Sequence, residues 1–408
     1  LPLAMLLMGY QSSAQDSAPA EVSFPDRIAN PHDAIEDPVY SDPVFWWRMT
    51  NRPENIFEPD PYFYWPEATI EGVPGPFAEP ATEEHLAQFE VALDDMASWA
   101  EMHKSYALIV VHRGKLLLEQ YWDETDPEAL TNGRALTRSV TPMVLGFAVA
   151  DGALSLNDPI GTYIPEWRDD PRGDILVLHL AQNASGLEVA EQMGLDQILG
   201  NKDLCLVYCG DVIRAALSYG QAAPPGSRFD VAQENMQLLA LVIERATGTP
   251  IQDLLSERLW QRIGASDAAF QLDRPDGAAR VMCCMRALPR DWARLGLLLL
   301  NDGKWQGEQV LPEGWVEAMS SPSPTNPNFG IGLWIGSPYT PMRTYFQDKP
   351  GVVPQSEPFL AKDVVFMEGG GFRTVYVVPS EDLMIMRLGH FDNDWDHAYL
   401  VNTFLSTR

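Results

Sequence analysis

"RALTRSVTPMVLGFAVADGAL", residues 134–154, is the stretch on which the fold turns. Residues 139–151 read as a helix. Pro142 lacks the amide that would bond back to the Arg138 carbonyl, so the helix is expected to start late or bend there.

Working outward, "YALIVVHRGKLLLEQYW" (106–122) is two apolar runs around Arg113-Gly114, which predicts a β-hairpin. Before it, Leu86, Phe89, Leu93, Met96 and Trp99 recur at three- and four-residue intervals, a helix from Glu84 onward. After it, residues 211–219, 235–247 and 250–262 read as helices, the second closing at Thr247-Gly248. "DVVFME" (363–368), "TVYVVP" (374–379) and "LMIMRLG" (383–389) are strand-like runs, and "DWDHAYLVNTFLS" (394–406) ends the chain as a helix. Strands early, helices in the middle and strands again late predict an α+β fold: a central antiparallel sheet flanked by helices, with an inserted all-α lobe.

The chain has 408 residues, 46% of them hydrophobic and 10% aromatic, enough for one large domain or two interleaved lobes. Its 28 basic and 57 acidic residues give a net charge of −29, which argues against nucleic acid or an anionic membrane surface as partner. "LPLAMLLMGYQSSAQ" (1–15) has the pattern of a signal peptide's end, with cleavage expected after Ala14, so a periplasmic or secreted protein is expected. No other stretch approaches the roughly 20 apolar residues of a membrane span, so none is expected unless residues 1–14 are retained. Residues 15–80, rich in Pro, acidic and aromatic residues, are expected to lie as an extended arm on the body at 81–408. Cys205 and Cys209 are spaced to close a small loop, whereas the adjacent Cys283 and Cys284 are not expected to bridge easily; all four are read as structural.

Four phrases carry a family resemblance: "SVTPMVLGFAVADGALSLNDPIGTYIPEW" (139–167), "ILVLHLAQNASGLE" (175–188), "PPGSRFDVAQENMQLLALVIERATGTPIQDLLSERLWQRIGASDAAF" (224–270) and "VYVVPSEDLMIMRLGH" (375–390). In this order they resemble the serine β-lactamase and penicillin-binding-protein superfamily, in particular its esterase and 6-aminohexanoate-dimer-hydrolase-like branch. The resemblance covers residues 84–408. It implies an α/β lobe (about 81–133 and 285–408), a helical lobe (about 134–284) and an active-site cleft between them. The family's chemistry implies a nucleophilic Ser at a helix start, a Lys one helical turn later as base, a Tyr from the helical lobe, and a strand segment of the Lys-Thr-Gly type beside the oxyanion site.

Laid on that pattern, Ala135 falls at the nucleophile and Arg138 at the base. Alanine has no nucleophilic atom, and a guanidinium stays protonated and cannot accept a proton. Val231, followed by Ala232 and Gln233, falls at the Tyr position. Glu368 and Gly369 fall on the strand motif, where a carboxylate is expected to repel an anionic substrate and oppose oxyanion stabilisation. The expected cleft is lined by Ala135, Arg138, Val231, Gln233, Glu368, Gly369 and Arg373, with no catalytic residue among them. The resulting expectation is a pseudoenzyme that binds a small molecule or a protein partner there, with Arg138 as a carboxylate anchor and Val231 leaving extra room.

Other chemistries are weaker. The chain's lysines, at 104, 115, 202, 304, 349 and 362, are nowhere preceded by a Ser three residues earlier. Ser139 is the alternative nucleophile of an active amide or ester hydrolase, although Pro142 stands at its +3 position; it reads more simply as an N-cap or helix-surface hydroxyl. Asp230, Glu234 and Glu368 form a possible acid/base group. Ser185 reads as a structural turn residue, and "HFDNDWDH" (390–397) as a solvated turn rather than a metal site. No cofactor or metal motif is present. A third expectation is a structural subunit of an exported assembly, using the aromatic arm at residues 40–80 as its contact surface.

Overall fold

The computed structural model describes residues 42–50, 65–123, 125–189 and 202–407. The signal-peptide-like segment at 1–14 and much of the arm lie outside the described residues. In chain order the first elements are α1 (Pro43–Thr50), β1 (Glu67–Ile70), β2 (Glu79–Pro80), α2 (Glu83–Met102), β3 (Ser105–His112), β4 (Lys115–Tyr121), β5 (Thr131–Asn132) and α3 (Thr137–Ala150). The middle holds α4 (Val177–Ala181), α5 (Lys202–Tyr208), α6 (Val212–Leu217), α7 (Gln233–Thr247) and α8 (Ile251–Leu255), then β6 (Ala268–Gln271) and β7 (Met285–Ala287). The last part holds α9 (Pro289–Leu300), β8 (Lys304–Trp305), β9 (Glu308–Gln309), α10 (Trp315–Met319), β10 (Trp334–Ile335), β11 (Met342–Arg343), β12 (Val353–Pro354), β13 (Val365–Gly369), β14 (Arg373–Val378), β15 (Leu383–Gly389) and α11 (Tyr399–Leu405). Among the described residues no helix is long and apolar enough to cross a membrane.

Seven strands form the central sheet in the order β10-β13-β14-β15-β3-β4-β2, antiparallel except at the β2–β4 edge. The β3–β4 hairpin turns at Arg113 (φ 51°) and Gly114 (φ 67°), the left-handed pair that a two-residue turn between twisted strands requires. Every residue of β3 is buried, because helices cover both faces of the sheet. Leu108, Val110, Tyr376 and Ile385 pack with Met96 and Trp99 of α2 and with Val401 and Phe404 of α11. On the opposite face Ile109, Val111, Val375, Val377 and Met384 pack with Leu295 and Leu298 of α9 and merge with the core of the helical lobe. Gly296 lets α9 approach closely: a Cβ there would lie 2.4 Å from Val375 Cγ1.

α3 runs from Thr137 to Ala150 behind a short 3-10 turn at Arg134–Leu136, so it starts before Pro142 rather than after it. The missing amide of a mid-helix proline costs about 3 kcal/mol. Burial of every residue from Ser139 to Ala148 offsets it, a local preference overridden by packing.

Among its described residues the inserted stretch carries only helices and connecting turns as far as Ile263 and then supplies β6. β6 joins β1 of the arm, β7 and β5 in a second sheet of order β1-β6-β7-β5, so the lobe carries a small sheet as well as its helices. Strands this short hold too few residues to display an alternation. The described part of the arm lies on the body: Phe45 and Arg48 of α1 are buried, and Arg48 donates to the carbonyls of Tyr208, Cys209, Leu272 and Asp273. Cys205 is bridged to Cys209, and Cys283 to its neighbour Cys284. The second bridge corrects the expectation from spacing; the chain turns over residues 281–283, which brings the two sulfurs together.

Candidate functional site

Between the lobes lies a cavity of about 260 Å³. The 3-10 turn and the first turn of α3 supply Ala135, Arg138 and Ser139, and the segment entering α7 supplies Val231, Ala232, Gln233 and Glu234. The end of β13 supplies Glu368, Gly369 and Gly370, and the rest of the wall includes Asn183, Asp203, Phe329, Trp334, Tyr345 and Phe346. Gly369 allows the strand to touch the helix start: a Cβ there would lie 2.5 Å from the Gly133 carbonyl oxygen. Six of the seven residues singled out from the sequence therefore share one cavity.

Arg373 is the correction. It does not line the cavity; its Nε donates to the Tyr106 hydroxyl at 2.9 Å and its Nη1 to the Gly370 carbonyl at 3.1 Å, and the side chain is buried. Proximity in sequence to Gly369 placed it near the site, but its side chain is turned toward Tyr106 of β3. Ser139 is also corrected. It is neither an N-cap nor a surface hydroxyl: α3 already runs from Thr137, and the buried Oγ donates to the Gly332 carbonyl at 2.6 Å.

Arg138 is the cavity's cation. Its Nε donates to the Met282 carbonyl at 3.1 Å. Burial pulls its pKa below the ordinary value, opposed by Asp203, Tyr345 and Glu234. Asp203 accepts from the Tyr219 hydroxyl at 2.5 Å, and burial pushes its carboxyl up. Glu234 is 1% exposed and its Oε1 has no hydrogen-bond partner. Burial, opposed by a hydrogen bond from its own amide and reinforced by Asp203, holds its pKa well above the ordinary 4.5 and so favours the neutral acid in the folded protein.

That neutral acid has a stability consequence. Above pH 4.5 the unfolded chain releases the Glu234 proton while the folded chain keeps it, so stability falls as pH rises from 4.5 toward the folded-state pKa. Glu234→Gln is expected to match wild type near pH 4 and to exceed it in urea midpoint at pH 7. An equal offset at both pH values would show that Glu234 is not held neutral.

Glu368 is not the bare carboxylate the sequence suggests. Arg343 Nη2 donates to its Oε2 at 2.7 Å, and the Tyr345 hydroxyl donates to its Oε1. The Arg343 guanidinium lies 4.5 Å from the Trp334 ring centroid and 4.8 Å from that of Phe366. Behind the carboxylate stands His397, completely buried and bonded through Nδ1 to the Tyr376 hydroxyl at 2.9 Å; its Nε2 is 3.2 Å from Glu368 Oε2. Burial drives the His397 pKa well down, so the ring is neutral. His397 thus belongs to the core rather than to a solvated turn. The expected repulsion of anions by Glu368 is cancelled by Arg343, which sits 25 positions upstream on a two-residue strand.

The proposed acid/base group does not assemble. Asp230 is tied to Arg228 and accepts from the Gln347 amide, and it does not line the cavity with Glu234 and Glu368. Ser185 Oγ accepts from the Leu187 amide at 3.2 Å, a turn contact. Among the described residues no three His, Cys, Asp or Glu side chains are grouped to hold a metal ion. Sequence reasoning missed Asp203, Tyr345, Phe346 and Trp334, which reach the cavity from segments without a motif; Asn183 and Met236 also line it and lay in quoted phrases, where they could have been found.

A mostly antiparallel sheet, a helical lobe inserted beside it and a cleft at the helix start between them define a β-lactamase-like fold. Residues 85–399 match the Beta-lactamase family, and the chain belongs to it. It is 23% identical over 251 residues to the 6-aminohexanoate-dimer hydrolase of Paenarthrobacter ureafaciens, covering 59% of this chain and 63% of that protein. It is 24% identical over 189 residues to esterase EstB of Burkholderia gladioli, covering 41% of this chain and 47% of that one. The chain thus aligns with less than two thirds of either relative's length. Among solved structures, a Bacillus anthracis protein classed with the 6-aminohexanoate-dimer hydrolases superimposes with a TM-score of 0.66 at 20% identity, over 86% of this chain and 94% of that one.

Proposed function

We propose that this member of the β-lactamase family binds a small molecule in the family's cleft without hydrolysing it. The observation that carries the reading is the helix start itself: at the position of the family's nucleophile the cavity meets the methyl group of Ala135, and one turn on it meets the guanidinium of Arg138. The first has no atom to attack a carbonyl and the second cannot take a proton. Val231 contributes no phenol, and the Ser139 hydroxyl is committed to a carbonyl. The cavity nevertheless persists.

Intact-mass spectrometry after incubation with a fluorophosphonate, and separately with a penicillin, tests this. No adduct is expected while an active relative labels fully alongside. A stoichiometric adduct would overturn the reading, and peptide mapping would name the nucleophile. We further propose an exported location, supported by the apolar start of the chain and by two disulfides, which persist in oxidising compartments.

A further inference from the structure

Resting on the reading of a binding cleft, we infer that its ligand is a small monocarboxylic acid with an apolar body, its carboxylate seated between Arg138 and the start of α7. Three observations converge there. Arg138 faces the cavity with only its Nε committed, and among the described residues no carboxylate oxygen lies within 4.0 Å of its guanidinium. α7, a 15-residue helix, begins behind Ala232 without a side-chain cap, and Ala232, Gln233 and Glu234 line the cavity, which puts the positive end of the helix dipole at its wall. Glu234 in its first turn presents a buried oxygen that has no partner. Burial favours the protonated form of that carboxyl, the form in which it can donate to an incoming carboxylate.

The remaining walls set the rest of the ligand. Ala135, Val231, Met236, Phe329, Trp334 and Phe346 line the cavity and suit an alkyl or aryl body. About 260 Å³ lies just under the roughly 300 Å³ at which small-molecule pockets begin, so the body is short. Asp203 limits the charge: its carboxyl lines the same cavity, held by the Tyr219 hydroxyl, and opposes negative groups there, so Arg138 supports one carboxylate rather than two. Glu368 adds no free charge, being paired with Arg343.

The test uses the full chain and titration calorimetry with octanoate, 1-octanol and octylamine. Octanoate is expected to bind, and both uncharged and cationic analogues to bind at least tenfold more weakly. Arg138→Gln is expected to weaken octanoate about ten- to hundredfold, the range of a hydrogen bond to a charged group. Because Arg138→Gln also loses a contact to Met282, Asp203→Asn provides an independent arm: removing the opposing carboxylate is expected to tighten octanoate several-fold while leaving 1-octanol unchanged. Equal binding of octanoate and octanol, with Asp203→Asn indifferent, would overturn the carboxylate assignment and leave the binding-cleft reading intact. Octanoate that fails to bind while the fluorophosphonate labels the chain would instead sink the binding-cleft reading itself.

Discussion

Ala135→Ser combined with Arg138→Lys is expected to yield a protein that a fluorophosphonate labels to one equivalent, while wild type does not label and Ala135→Ser alone labels at least a hundredfold more slowly. The serine would stand where the Ala135 methyl now meets the cavity, at the start of α3. A hydroxyl alone is a weak nucleophile, and general-base assistance contributes about 10² to 10⁴ in rate. Arg138 cannot supply it, but a lysine can, because burial at this position, which already lowers the Arg138 pKa, disfavours an ammonium ion too. The time course of adduct formation by mass spectrometry reads the difference. If the double variant labels no faster than the single one, the helix start no longer holds the two positions in catalytic register.

Arg343→Met is expected to be the most destabilising single change near the site, at about 3–5 kcal/mol, the usual cost of leaving a buried charge without its partner. Arg343 and Glu368 are both buried, and the rest of the pocket around the carboxylate offers only the Tyr345 hydroxyl and a neutral His397. The double change Arg343→Met with Glu368→Gln is expected to recover most of the loss, since it removes the stranded charge as well. Urea unfolding of the two single variants and the double reads the coupling. Additive losses would show that the pair does not act as a unit.

The extent to which the primary structure reveals this protein divides along a physical line. The sequence by itself determined the long elements: the β3–β4 hairpin, α2, α7 and the three late strands follow from apolar periods and turn residues that act within a dozen positions. It also determined the chemistry missing at the helix start, because Ala135 and Arg138 are defined by what their side chains can do wherever they are placed. The small sheet of β1, β5, β6 and β7 was invisible, since its strands are two to four residues long and pair across up to 204 positions of chain, as Glu67 with Gln271. Tertiary structure alone decided the site's electrostatics. Glu368 reads as a repelling carboxylate until Arg343 and Tyr345 are folded against it, and Glu234 reads as an ordinary acid until burial withdraws the water that would ionise it. Arg373, close to Glu368 in sequence, points elsewhere. Charge pairing and desolvation depend on distances through space, and those exist only once the two lobes have closed on one cavity.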